Sequence, residues 1–363
     1  MILIRNRPRL AFTLVELLVV MGIITLLAAV TLPSIRTLLH GQKVTQAARM
    51  VQAHIESARA RAIAAGRPYA VVLERSTNDN NTVIALASGQ VFPPYEGDTV
   101  GATGTLADTN GKNSVTRKYD HVSTDGFYDQ LTVSMIDASL IYATPSVYGA
   151  GDFIQLGDRE SLFLIESVDA TAGVIKFYNP PYFTDTANGY HWPIQEPQLP
   201  TRGNAASSFR IFRKPSKSFI PPTRLPRGTC IDLTVSGTGW TGTDFSTTGS
   251  AVPVMIVFDE RGAITYITDD SALPYRPSGV IHLMIGRTEQ VSLSAPLAVA
   301  DPNDPSTFNA NVNDKENVWV SINPFSGVVY SSSVLAGFET GPLTDRLKAA
   351  RSLATNAATR SVD

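Results

Sequence analysis

Hydrophobic and polar positions follow one rhythm at the start of the chain and another after it. From Phe12 to Leu32 the residues are almost uniformly apolar; these 21 positions hold one ionisable side chain, Glu16, and no proline. As a helix such a run is roughly 30 Å long, the thickness of a bilayer's hydrocarbon core. A carboxylate inside it costs on the order of a few kcal/mol near the middle, so Glu16 demands a reason. It lies within about 6 Å of the start of the run, where an interfacial position is one such reason. Past Pro33 the pattern becomes amphipathic. Val44, Ala47, Ala48, Val51, Ile55, Ala58 and Ala62 recur at three- and four-residue steps, with Lys43, Arg49, Glu56, Arg59 and Arg61 largely off that stripe. Gly66 and Pro68 stop the helix. The prediction is one helix of near 80 Å from Phe12 to about Ala65, half in a membrane and half against a domain.

Beyond Pro68 the period shifts to that of strands. Tyr69–Leu73 is closed by a polar turn at Ser76–Asn81, and Phe153–Leu156, Leu162–Val168 and Val174–Tyr178 form a small β-module near residues 150–182. The final third alternates regularly. Val254–Phe258 and Ala263–Ile267 read as a hairpin about Asp259-Glu260-Arg261-Gly262, and Val318–Ile322 with Val328–Tyr330 as a second about residues 323–327. Val280–Ile285 and Val291–Leu293 read as further strands, and Leu343–Ala358 as a short exposed helix. The expected class is α+β: a long N-terminal transmembrane helix packed on an antiparallel, β-sandwich-like or open-barrel head.

Composition adds bounds. The chain has 363 residues and a formal net charge of -2, so no global field draws it to nucleic acid or an anionic surface. A single cysteine, Cys230, excludes an intramolecular disulfide. The leader carries Arg5, Arg7 and Arg9 with no acid, which places it in the cytoplasm by the positive-inside rule. No small-x-small cleavage site precedes Pro33, so the apolar run stays as an anchor.

A basic leader, a small residue and Phe-Thr-Leu-Val-Glu at the head of an apolar run closely resemble the N-terminal signal of type IV prepilins and type II secretion pseudopilins. The resemblance implies cleavage by a prepilin peptidase between Ala11 and Phe12, N-methylation of Phe12, and an assembly role for Glu16. That carboxylate, fifth in the mature chain, would pair with the N-terminal amine of a neighbouring subunit and set axial register; a carboxylate in low dielectric is far cheaper beside a cation than alone. Ala11 departs from the family's usual glycine, and Pro33 falls where many pilins have a helix-kinking proline. Many pilins also staple a C-terminal loop with a disulfide, which this chain cannot do.

Further segments are similar to the H-type minor pseudopilins: Ala58-Arg59-Ala60-Arg61-Ala62-Ile63 with Gly66-Arg67-Pro68, Ile256-Val257-Phe258-Asp259 with Gly262, and Asn323-Pro324 with Ser326-Gly327. The implied organisation is a leader over 1–11, a helix over 12–66 with 12–32 in the membrane, and a pseudopilin head from 67–75 and 200–335. An insertion occupies 76–199, and a tail with a short helix 336–363. The resemblance implies a bacterial inner-membrane, single-pass protein with a periplasmic head. Its partners would be the prepilin peptidase, major and other minor pseudopilins, the secretion assembly platform, inner-membrane lipid and a secreted substrate. The alternative is a minor type IV pilin that contacts DNA for uptake.

Other chemistry is thin. Gly237-Thr238-Gly239-Trp240-Thr241-Gly242 fits GxGxxG but is followed by a loop composition instead of the helix a dinucleotide needs. The five histidines have no metalloprotease spacing, and no GxSxG elbow occurs. Asp301, Asn303, Asp304, Asn311, Asn313 and Asp314 form an oxygen-rich loop of a kind calcium favours, without EF-hand spacing. Arg202, Arg210, Arg213, Lys214, Lys217, Arg224 and Arg227 make a basic strip on what reads as an extended connection. Such a strip can meet nucleic acid or lipid headgroups, and is more often a solvated face balanced by acids elsewhere. The expectation is no catalysis, no cofactor, no metal, no small-molecule substrate and no nucleic-acid partner.

Overall fold

A computed structural model describes residues 14–97, 102–108, 128–133, 148–149, 151–157, 162–169, 171–178, 206–249, 251–269, 274–277, 279–301, 303–304, 306–334 and 342–359. Helix α1 (Leu14–Ala65) is 52 residues long, about 78 Å at helical rise, and passes through position 33. It ends where expected: Gly66 takes a positive φ of 57°, and its amide and that of Arg67 bond back to Ile63 and Ala62.

Eleven strands form the main sheet: β1 (Tyr69–Arg75), β2 (Thr82–Gln90), and, after the strands of a second unit, β9 (Ser216–Lys217), β10 (Thr223–Arg224), β11 (Thr229–Thr238), β12 (Val254–Phe258), β13 (Ile264–Thr268), β14 (Pro274–Tyr275), β15 (Ile281–Arg287), β16 (Val318–Ile322) and β17 (Val329–Ser333). Its order is β14-β13-β12-β1-β2-β11-β15-β16-β17, with β9 and β10 also on β2. All its pairs are antiparallel.

The period of two decides what each face meets. Ile281, Leu283 and Ile285 of β15 and Val320 and Ile322 of β16 join the core built on Val44, Ala47, Val51, Ile55, Ala58 and Ala62 of α1. Each fully buried Val or Ile there stabilises the docking by roughly 2 kcal/mol. The alternate residues Met284 and Trp319 turn to the opposite face, where helix α2 (Leu343–Thr359) supplies Leu347, Ala350 and Ala354. The class is α+β, as expected. Among the described residues no second sheet layer packs on this part of the sheet, because helices fill both of its faces. Nor is α2 an exposed tail: its alternation of small apolar residues fits it onto Trp319.

The second unit is a closed six-stranded barrel in the order β3-β4-β7-β6-β5-β8. Its strands are β3 (Thr103–Asp108), β4 (Tyr128–Val133), β5 (Phe153–Leu156), β6 (Leu162–Asp169), β7 (Val174–Tyr178) and β8 (Ala206–Phe212). The three strands read between 150 and 182 are therefore half of a larger element. Closure needs β3, β4 and β8, whose pairing partners lie far away in sequence. The expected boundaries shift accordingly. Thr82–Gln90, placed in the insertion, pairs along β1 from Tyr69↔Gln90 to Arg75↔Val83 and belongs to the head. Ala206–Phe212, placed in the head, closes the barrel against β3 and β5. Val291–Leu293 is not a strand; a 3-10 turn at Thr288–Gln290 ends β15 and turns the chain away.

Candidate assembly site

The N-terminal part of α1 stands clear of the head. Its large apolar side chains from Leu14 to Leu27 are all exposed, from 46% at Val20 to 80% at Leu14. This is the reverse of a folded helix in water, where one face is buried; an apolar surface on every side calls for lipid or other helices as its surroundings. Thr25, the polar uncharged side chain in this stretch, satisfies its hydroxyl internally by donating to the carbonyls of Met21 at 3.0 Å and Gly22 at 2.9 Å. Glu16 sits in the first turn of α1 and is exposed, where the helix dipole favours a carboxylate. It is the one ionisable side chain between Leu14 and Leu27. Ala11 and Phe12 lie outside the described residues, as does the side chain of Pro33. Among the described residues no helix is long and apolar enough to cross a membrane; described side chains in this half of α1 stop at Leu27 and resume at Gly41.

The prokaryotic N-terminal methylation motif matches residues 6–32, which takes in Ala11, Phe12 and Glu16. No curated protein and no solved structure matches the chain significantly. The chain thus carries the signal of type IV pilin-like and pseudopilin proteins. The motif implies processing by a prepilin peptidase, membrane anchoring and assembly with other pilin-like subunits.

The remaining candidates disperse. The GxGxxG loop receives a cation of the protein itself: the buried Arg351 guanidinium of α2 donates to the carbonyls of Gly239 (3.0 Å), Val235 (2.7 Å) and Gly242 (2.9 Å). A Cβ on Gly237 or Gly242 would collide with the backbone carbonyl of Gly242 or Thr238 respectively, so these glycines serve a tight backbone crossing. In the acidic loop, Asp301 and Asp304 cap their own turns through the amides of Asn303 and Ser306. Asn311 instead turns inward and donates to Asp232 at 2.8 Å. No group of three or more His, Cys, Asp or Glu side chains suited to a metal ion occurs among the described residues.

The basic strip is not a flexible connection. It runs through β8, β9 and β10, and three of its charges have local partners: Arg210 pairs with Glu96 at 2.8 Å, Lys217 with Glu74, and Arg213 lies over the Phe92 ring at 4.6 Å. Arg202 lies outside the described residues, as do His121 and His191. His54 bonds Thr223 at 3.0 Å, and His282 is fully buried between Ser321 and Thr355. Burial holds the His282 ring neutral, with its pKa lowered to about 3, an effect reinforced by the Arg351 charge. Arg351 and Trp319 were missed by sequence reasoning. Their only signal was an arginine flanked by small residues in Ala349-Ala350-Arg351.

Proposed function

We propose that this chain is a structural minor pseudopilin of a type II protein secretion system. A prepilin peptidase cuts it between Ala11 and Phe12, Phe12 is methylated, and the subunit enters or caps a short periplasmic filament. The observation that carries this reading is the methylation motif over residues 6–32, set on a helix whose large apolar side chains from Leu14 to Leu27 are uncovered. The choice of secretion over a pilus rests on the resemblance of residues 58–68, 256–262 and 323–327 to H-type subunits.

In this reading the protein performs no chemistry. Phe12 presents the amine, Glu16 accepts a neighbour's amine in low dielectric, and the helix supplies lateral packing. The head faces the periplasm and meets the other minor subunits or a secreted substrate, while the leader stays on the cytoplasmic side. The experiment is Glu16→Ala in cells that carry the rest of the secretion system. Removing an intramembrane charge leaves insertion no worse, so membrane levels and the head's thermal unfolding stay unchanged. Cross-linking to the major subunit falls. Normal cross-linking and secretion by the variant would defeat the proposal.

A further inference from the structure

Among the described residues the chain passes between head and barrel at two places, and these two crossings lie side by side. One is residues 91–97, leaving β2; the other is residues 213–215, leading into β9. Tyr95 of the first crossing and Ile211 of β8 exchange backbone hydrogen bonds of 2.9 and 2.8 Å, and Tyr95 stacks on Tyr148 of the barrel unit at 4.7 Å, which ties that crossing to the barrel. Arg213 adds a second tie: its guanidinium covers the Phe92 ring and donates to the Pro93 carbonyl at 3.0 Å. The buried Asp152, just ahead of β5, adds a third. Its carboxylate accepts from the Gly149 amide at 2.7 Å and from the Lys214 amide at 2.9 Å, so it binds barrel to crossing.

Away from this neck the two units share little. The barrel core built on Ile154, Phe163, Ile175, Phe177, Phe209 and Ile211 has no residue in common with either core of the head. They face each other across an apolar crevice, Phe153 and Pro215 on one side and Met255 and Tyr266 on the other. Two cores that do not interdigitate, joined at one edge, are what a hinge requires. The fixed orientation then depends on directional polar contacts at the neck, because an apolar crevice tolerates sliding while a bidentate carboxylate does not.

We propose that the barrel is hinged to the head at this neck, and that Asp152 and Arg213 are the lock that holds it in one orientation. The hinge gives the subunit a movable module without any change in the helix or the main sheet.

The test uses the full chain in detergent, with spin labels on Thr171→Cys in the barrel and Glu260→Cys in the head. Both positions are exposed, and the buried Cys230 stays unlabelled. The parent gives one narrow inter-label distance distribution. Asp152→Ala and Arg213→Ala each broaden it or add a second population, and Asp152→Ala speeds exchange of the Lys214 amide about tenfold or more. Exchange at Ile154 and Phe177 in the barrel stays as in the parent. Arg213→Ala guards against a folding defect, since its contacts are with the neck and not with the barrel core. An unchanged distribution in the double variant overturns the lock. Loss of protection at Ile154 and Phe177 together with broadening overturns the hinge, because the residues would then be holding the barrel's own fold.

Discussion

The guanidinium of Arg351 lies over the Trp319 ring, 5.2 Å from its centroid, and both side chains are fully buried. A buried cation without a carboxylate against it is expensive; here three backbone carbonyls and an aromatic face stand in for water. Burial lowers its pKa to about 10, and the nearby Asp244 charge opposes that shift. At neutral pH it therefore stays charged.

Arg351→Ala should destabilise the folded chain by about 2–4 kcal/mol, because three carbonyls lose their donor and the Trp319 face is uncovered. Arg351→Met, which restores packing without donors, should recover only part of that loss. Urea unfolding followed by far-UV circular dichroism reads both. A loss below about 0.5 kcal/mol for the alanine variant would show that α2 is held by Leu347, Ala350 and Ala354 alone.

Two buried groups titrate in opposite directions. Asp232 accepts from the Thr234 amide and hydroxyl and from Asn311, yet burial pushes its pKa up to about 6. Its folded value exceeds the unfolded one of about 3.9, so the stability it contributes is present below pH 4 and is lost as pH rises through 6. His282 is the reverse: its folded pKa of about 3 lies below the unfolded value, so its contribution is present above about pH 6.5 and is lost on acidification. The two partly cancel in the parent. Asp232→Asn removes one of them, and its penalty should be smaller at pH 7.5 than at pH 4, by up to about 3 kcal/mol. Equal penalties at the two pH values would place the folded Asp232 pKa near its ordinary value.

The helix from Leu14 to Ala65 and the hairpins β12–β13 and β16–β17 were legible because each signal is local: a 3.6-residue stripe, or alternation around Gly262 and Gly327. How the pieces meet was not. In the sequence Arg59 is one of the charged residues largely off the apolar stripe. It donates to the carbonyls of Gly262 (3.3 Å) and Ser326 (3.0 Å), tying both hairpin turns to α1. The barrel was half visible for the same reason: β5, β6 and β7 are joined by short turns, whereas β3↔β8 pairs Thr103 with Ser208, a hundred residues on. β2 was hidden because Ala-Leu-Ala-Ser-Gly carries no strong strand signal and is buried by its partners. For the proposed assembly site the sequence is the better source, since the proposal rests on the order of Ala11, Phe12 and Glu16 along the chain, and Ala11 and Phe12 lie outside the described residues.

Processing should depend on the size of residue 11. Ala11→Gly should be cleaved at least as well as the parent, and a bulky Ala11→Leu should block it, with the mature chain starting at methylated Phe12. Intact mass of membrane-extracted protein decides the matter. A mature protein that retains Arg5, Arg7 and Arg9 would contradict the assignment of the cut.

The response of the basic strip to DNA and salt separates secretion from DNA uptake. A duplex binds by releasing counterions to free cations, so affinity falls steeply between about 50 and 200 mM salt as contacts are screened. In this chain Arg210 is already against Glu96, Lys217 against Glu74, and Arg213 is committed to Phe92 and Pro93. Recruiting them to phosphate means breaking those contacts, and exposed pairs of this kind are worth only up to about 1 kcal/mol, so low salt can still show weak attraction. The expected result for labelled duplex titrated into the chain from residue 41 onward is weak binding at the lower salt and none measurable at the higher. Submicromolar binding at 200 mM, abolished when Arg210, Arg213 and Lys214 all become Ala, would overturn the proposed secretion role in favour of a DNA-uptake pilin. The triple variant must also keep the parent's unfolding midpoint, since Arg213 holds the neck, and a loss of fold would mimic a loss of binding.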